Sequence, residues 1–139
     1  MKFGHKDCNN KTMRTLIISD EYSLKNMNQF LNGYKETELT FFSESKDPFV
    51  IISKTIDLNP ALIVIDDDFT SPNTVQILKS IKTINKKIAT IFVTSNSSLE
   101  LGREVTPLGV QFYAIKPLSV TEIFDSIKSI INLQRKMSY

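Results

Sequence analysis

Short apolar runs alternate with amphipathic segments along most of this chain of 139 residues. Five runs have the length and the β-branched or aromatic content of strands, and they lie at residues 15–19, 39–42, 61–65, 88–94 and 110–115. Segments with a helical period follow them, beginning near residues 23, 48, 72, 97 and 119. This alternation predicts an α/β domain, a doubly wound five-stranded parallel sheet with five helices.

Capping signals mark where several of these helices begin. The signals are Asp47-Pro48, Ser71-Pro72 and the capping box Ser119-Val120-Thr121-Glu122. Gly33 is placed to end the first helix, and Asn59-Pro60 to end the second. The helix at residues 97–105 is the weakest prediction, because Gly102 lies inside it.

Apolar residues at a helical spacing predict which face of each helix packs on the sheet. The predicted buried faces are Leu24, Met27, Phe30 and Leu31 in the first helix, Phe49, Ile52 and Ile56 in the second, Val75, Leu78 and Ile81 in the third, and Ile123, Ile127, Ile130 and Ile131 in the last.

Composition narrows the function classes. A hydrophobic fraction of 41% with 23% charged residues is that of a globular protein, and the net charge of +2 with dispersed lysines shows no nucleic-acid footprint. No apolar stretch is long enough for a membrane span, and no signal peptide is visible, so a cytoplasmic location is expected. Cys8 is the only cysteine, which excludes an internal disulfide. We expect a flexible leader at residues 1–12 and one domain at residues 13–136.

Polar residues follow four of the predicted strands at the point where each ends. Asp20 and Glu21 follow the first strand, Asp66 the third, Thr94 ends the fourth and Lys116 follows the fifth. The carboxyl ends of parallel strands meet at one edge, and in the strand order 2-1-3-4-5 the first and third strands are neighbours there. The carboxylates should therefore converge and require a cation, for which Mg²⁺ is suited.

Such an edge has the components for phosphoryl transfer to the protein itself. The Asp66 carboxylate would be the nucleophile, and the metal, the Lys116 ammonium and the Thr94 hydroxyl would surround the phosphoryl group. Of the triple Asp66-Asp67-Asp68, at least one residue is expected to be a solvated loop residue.

Because of these strand-end residues and their order, the segment 13–136 resembles the flavodoxin-like receiver domain of two-component response regulators. The matching positions are Asp20 for the main magnesium-binding acid, Asp66 for the phosphoacceptor, Thr94 for the switch hydroxyl, Lys116-Pro117 for the lysine and its proline, and Tyr113 for the aromatic switch residue.

The resemblance implies a signalling module rather than an enzyme. Asp66 would accept a phosphoryl group from a histidine of a sensor histidine kinase or phosphotransfer protein, with Mg²⁺ bound by Asp20, Asp66, Glu21 and Asp68. Thr94 and Tyr113 would then shift together. A downstream protein would read the face formed by the fourth helix, the fifth strand and the fifth helix. No membrane or nucleic-acid partner is expected, and a homodimer is left open.

Three departures from the family pattern stand out. Ser19 occupies the place of the first member of the acidic pair and removes one carboxylate from the metal site. Asp68 adds a negative charge two residues beyond the acceptor, where it either holds metal-bound water or repels the phosphoryl group. The loop at residues 69–74 lacks the usual Pro-Gly and Asp-Gly pairings, so an altered path is expected.

Other functions compete with this one. Ser19 favours a pseudo-receiver, an interaction module that phosphate does not switch, whereas Asp66, Thr94 and Lys116 disfavour it. A nucleotide or flavin binder is disfavoured because residues 19–23 contain no glycine and two acids, which would repel a phosphate bound without metal. A phosphate-ester hydrolase is disfavoured because no insert or cap would enclose a foreign substrate.

Overall fold

A computed structural model describes residues 12–31 and 34–137 of the chain. The expected leader, apart from residue 12, and the residues Cys8 and Gly33 lie outside the described residues, as do the side chains of Phe30 and Leu31. Five parallel strands form one sheet in the order β2-β1-β3-β4-β5, which confirms the predicted order. The strands are β1 (Met13–Ile18), β2 (Thr37–Phe42), β3 (Leu62–Asp66), β4 (Ala89–Thr94) and β5 (Phe112–Ile115).

Helices connect the strands in the described part of the chain. They are α1 (Tyr22–Lys25), α2 (Pro48–Leu58), α3 (Asp67–Thr70), α4 (Thr74–Ile84), α5 (Leu99–Val105) and α6 (Val120–Met137), with 3₁₀ segments at Asn26–Leu31 and Thr106–Leu108. The helix absent from the prediction is α3, a single turn that begins directly after β3. It forms because the Asp66 carboxylate accepts the backbone N–H of Asp68 and so caps the turn. Within the described residues, no helix is both long and apolar enough to cross a membrane.

Two hydrophobic layers cover the two faces of the sheet. Leu16 and Ile18 of β1 pack in the layer beneath α2 and α4, whereas Ile17 packs in the layer beneath α1 and α6. Successive side chains of a strand point to opposite faces, so a strand covered on both sides is apolar throughout. This arrangement explains why the central strands appear in the sequence as continuous apolar runs.

The predicted buried face of α2 is wrong. Ile51 and Thr55 are the buried residues of this helix, while Phe49 is 85% and Ile56 is 58% exposed, and Ile52 is partly buried. The Thr55 hydroxyl can be buried because it donates to the carbonyl of Ile51. The predicted N-cap is confirmed, since the Asp47 side chain accepts the N–H of Phe49.

The other predicted helices differ in how closely they match the structure. Helix α4 begins at Thr74 with Asn73 as its N-cap, so Ser71-Pro72 precedes the helix rather than starting it. The predicted first helix has only one α-helical turn before it tightens into a 3₁₀ segment at Asn26, a residue with low helix propensity. The stripe of α6 is confirmed in full, because Ile123, Ile127, Ile130 and Ile131 are all buried.

Candidate functional site

The carboxyl edge of the sheet gathers most of the residues singled out above. Glu21, Asp66 and Asp68 each lie 3.0 Å from the Nζ atom of Lys116, measured to the nearest carboxylate oxygen. Lys116 follows β5 and is held there by its backbone N–H, which donates to the carbonyl of Thr94. The site therefore joins the ends of β1, β3 and β5 around one ammonium group. Asp20 is exposed at the end of β1 and lies outside these contacts.

Asp66 is enclosed on every side. Its side chain has no exposed surface, and its Oδ1 atom accepts the N–H of Asp68. Its Oδ2 atom accepts both the Lys116 ammonium and the hydroxyl of Ser19, the latter at 2.7 Å. Ser19 in turn accepts the N–H of Glu21, so its hydroxyl orders the chain after β1. Ser19 thus donates a hydrogen bond at the position where the family pattern has an acid.

The charges at this edge stabilise one another. Burial alone would lower the pKa of Lys116, but hydrogen bonds with Asp68, Asp66 and Glu21 outweigh it and raise the pKa well above its ordinary value. Burial would raise the pKa of Asp68, yet its hydrogen bonds with Lys116 and Ser95 lower it. Lys116 is therefore a permanent cation around neutral pH, and Asp68 is an anion.

Thr94 lies at the end of β4 and is fully buried, but its hydroxyl is not hydrogen-bonded to Asp66. Its hydroxyl donates to Oδ2 of Asp67 at 3.0 Å and accepts the N–H of Asn96. The other Asp67 oxygen accepts the hydroxyl of Thr74 at 2.7 Å, and Asp67 is only 9% exposed. Of the acidic triple, Asp66 and Asp67 are buried, whereas Asp68 is exposed to solvent, as was expected of at least one member, although its carboxylate is paired with Lys116 and Ser95.

Tyr113 lies on β5 next to this hydroxyl network. Its ring packs against Phe92, with 5.0 Å between the ring centroids. Burial and then the negative charge of Asp67 raise the pKa of the Tyr113 hydroxyl above its ordinary value. Both predicted switch residues therefore interact with Asp67: Thr94 by a hydrogen bond, and Tyr113 through the effect of the Asp67 charge on its pKa.

The oxygen donors at this edge are of the kind that Mg²⁺ binds. Among residues 12–31 and 34–137, however, no three His, Cys, Asp or Glu side chains surround a common point that could hold a metal ion. Lys116 lies between the carboxylates of Glu21, Asp66 and Asp68 instead. The single ammonium group pairs with all three carboxylates and offsets part of their negative charge.

Sequence reasoning missed several residues of this site. One of them is Asp67. The others carry hydroxyl groups: Thr74, which donates to the Asp67 carboxylate, Thr70, which is hydrogen-bonded to Thr74, and Ser95, which donates to Asp68. No periodic signal in the sequence marks Asp67, because Thr70 and Thr74 belong to separate helices with a break at residues 71–73 between them.

Comparisons with known proteins agree with this fold. No family model matches the chain. Sporulation initiation phosphotransferase F of Bacillus subtilis is 27% identical over 124 residues, which cover 87% of this chain and 95% of the relative. A CheY-like response regulator receiver domain protein of Methanospirillum hungatei has a TM-score of 0.73 at 21% identity and covers 91% of this chain and 99% of its own. The signal receiver domain of a putative Luxo repressor protein of Vibrio parahaemolyticus has a TM-score of 0.76 at 16% identity, covering 91% and 95%.

The sheet order and these likenesses define the fold. The chain has the fold of the receiver domains of two-component response regulators, in agreement with the resemblance drawn from its strand-end residues. Structures at 21% and 16% identity establish the fold alone. The chemistry of the site depends on this chain's own residues.

Proposed function

We propose that this domain accepts a phosphoryl group on Asp66 from a histidine of a sensor kinase or phosphotransfer protein, and that it signals through a protein partner. The observation that carries the proposal is the contact of Lys116 with Asp66 at the end of the central strand β3. A fixed cation 3.0 Å from the carboxylate would also neutralise the oxygens of a phosphoryl group attached there. The name of the Bacillus subtilis relative, a phosphotransferase of sporulation initiation, supports the same chemistry.

The transfer step follows from the chemistry of the carboxylate. An oxygen of Asp66 attacks phosphorus, a new O–P bond forms, and the bond from phosphorus to the donor breaks, with its electron pair leaving on the imidazole nitrogen of the donor histidine. Because Asp66 is fully buried, a donor can reach it only after the contacts of Lys116 with Glu21 and Asp68 have opened. Opening would leave Lys116 free to follow the phosphoryl oxygens.

Magnesium belongs to this proposal as a cation that binds at the same edge during transfer. Asp20 and Asp66 would be its ligands, with Glu21 or Asp68 as a further one, and the ion would supply positive charge to the phosphoryl group. Since Lys116 lies among these carboxylates and Ser19 contributes no charge, binding should be weak in the absence of a phosphoryl group.

The signalling face would lie on the side of α5, β5 and α6. Strand β5 is an edge strand, and its last residue, Ile115, is 48% exposed. Leu99 at the start of α5 is 76% exposed. Apolar side chains on an edge that also carries Tyr113 support a protein partner rather than an external substrate, so the domain would act as a module and not as an enzyme.

A second candidate is the phosphorylation-independent pseudo-receiver. The enclosure of Asp66, which has no exposed surface, favours it specifically. In that function the contacts of Lys116 would be structural, and the same face would bind its partner at all times. The two candidates differ in whether Asp66 reacts.

The test is the intact mass of the protein after incubation with acetyl phosphate, with and without Mg²⁺. A gain of about 80 Da, one phosphoryl group as an aspartyl phosphate, supports the receiver function. The gain should disappear in Asp66→Asn and persist in Asp57→Asn, which removes an exposed acid of α2. No gain in a folded wild-type protein would favour the pseudo-receiver, and a gain that persists in Asp66→Asn would refute Asp66 as the acceptor.

A further inference from the structure

The side-chain hydroxyl of Thr94 donates its only proton to the carboxylate of Asp67. A threonine hydroxyl has one proton and two acceptor positions, and a carboxylate oxygen can only accept. The contact of 3.0 Å between Thr94 Oγ1 and Asp67 Oδ2 is therefore a charge-assisted hydrogen bond from the threonine to the aspartate. Thr94 also accepts the N–H of Asn96, which fixes the hydroxyl from the other side.

The Asp67 carboxylate cannot easily turn away from this bond. It is 9% exposed, and its second oxygen accepts the Thr74 hydroxyl at 2.7 Å. Thr74 is in turn hydrogen-bonded to Thr70, at 2.6 Å between the two hydroxyl oxygens. Two hydroxyl groups, from α4 and β4, therefore donate to one buried anion, which depends on them in place of water, and the Thr70 hydroxyl of α3 bonds to one of the two.

A phosphoryl group on Asp66 would compete for the same proton. Thr94 could donate to that group only by breaking its bond with Asp67, and this would leave a buried carboxylate oxygen without a donor. We propose that Asp67 is a positioning residue that holds Thr94 in the resting state and so weakens the coupling between phosphorylation of Asp66 and movement of the switch residues. This inference rests on the proposed function, because it concerns the response to a phosphoryl group.

The experiment measures binding of beryllofluoride, a phosphoryl mimic that attaches to aspartate carboxylates, in the presence of Mg²⁺. The amide NMR signal of Ser95, which neighbours Thr94 and contacts Asp68, reports binding in every variant. Asp67→Ala should bind beryllofluoride about tenfold more tightly than the wild type, the size expected when one charge-assisted hydrogen bond no longer has to be broken. Asp57→Ala removes an equal charge from an exposed site and should leave the affinity unchanged.

A second background separates the hydrogen bond from the charge of Asp67. In Thr94→Val the hydroxyl is gone, so Asp67→Ala should change the affinity much less than it does when Thr94 is present. Equal gains in the two backgrounds would mean that Asp67 acts only by repelling the anion, and would overturn the proposal. No gain in either background would overturn it too.

One further variant keeps the test decisive. If Asp67→Ala does not fold, Asp67→Asn retains the shape and a neutral acceptor, and should give a smaller gain that again requires Thr94. Failure of the proposed function has a different signature, because the wild type and the Asp67 variants would then all fail to bind beryllofluoride. A wild type that binds, with Asp67 variants that bind equally well, removes the role of Asp67 and leaves Asp66 as the acceptor.

Discussion

The Lys116 ammonium lies 3.0 Å from Oδ2 of Asp66, and these two residues belong to strand ends separated by 50 positions in the chain. Asp66 has no exposed surface, whereas the Lys116 side chain is 16% exposed. A buried carboxylate without its cation would be strongly unfavourable, so this contact couples the chemistry of the site to the stability of the sheet.

Removal of Lys116 should therefore destabilise the domain. Lys116→Ala leaves Asp66 buried without a cation, and we expect a loss of about 3 kcal/mol in the free energy of unfolding, measured by urea denaturation. The double variant Lys116→Ala with Asp66→Asn should lose less than Lys116→Ala alone, because the buried charge that Lys116 pairs with at position 66 is then gone. Lys128→Ala, which breaks an exposed pair with Asp125 and an exposed cation–π contact with Phe124, should cost no more than about 1 kcal/mol. Equal losses in Lys116→Ala and Lys128→Ala would contradict the role of Lys116.

Asp68 should give the domain part of its stability against acid. Its pKa lies below the ordinary value of 3.8, so its contribution is present above that pH and is lost as the pH falls through the lower folded-state value. Since Asp68 is partly exposed, the contribution should stay below about 1 kcal/mol. Asp68→Asn should unfold more easily than the wild type near neutral pH, and the difference should disappear once Asp68 is protonated in the folded wild type as well. A constant difference across this range would argue against the ionised form as the source.

The charge of Asp67 should be visible in the titration of Tyr113. Burial and Asp67 together raise the pKa of the tyrosine above its ordinary value of 10.0. Asp67→Asn removes the second cause, so the pKa of Tyr113 should fall but stay above 10.0 because burial remains. The raised pKa stabilises the fold below the ordinary value, and this contribution is lost as the pH rises through the folded-state value. NMR titration of ring-labelled tyrosine would measure the change, and Tyr22, which is 78% exposed, supplies the unaffected control.

Ser19 should control how much the site depends on a divalent cation. Ser19→Asp replaces a donor to Asp66 by a second carboxylate, so the variant should be less stable than the wild type without metal. Mg²⁺ should then raise the melting temperature of Ser19→Asp more than that of the wild type, because the ion binds the folded state preferentially. Ser19→Asn, which is neutral and of similar size, should not acquire this response. Identical responses in Ser19→Asp and Ser19→Asn would contradict binding through the added carboxylate.

The sequence predicted the sheet better than it predicted the hydrogen bonds at its edge. Strand order and the approach of Lys116 to Asp66 follow from apolar runs that end in polar residues, since parallel strands bring those ends together. The burial of Asp67 could not be read in the same way, because an aspartate after a strand is usually a solvated loop residue. It is buried here because α3 turns it towards the hydroxyls of Thr74 and Thr94.

Helix α2 shows the same limit in a form that can be tested by mutation. Residues 49–52 are all apolar, so the pattern alone does not define one face, and a threonine at position 55 hides the buried side. Ile51 is fully buried between α2 and the sheet, whereas Phe49 is 85% exposed. Ile51→Ala should therefore cost about 2–5 kcal/mol in the free energy of unfolding, whereas Phe49→Ala should change it by about 0.5 kcal/mol or less. If Phe49→Ala were the more costly of the two in urea denaturation, the face predicted from the sequence would be the correct one and the packing of α2 described here would be wrong.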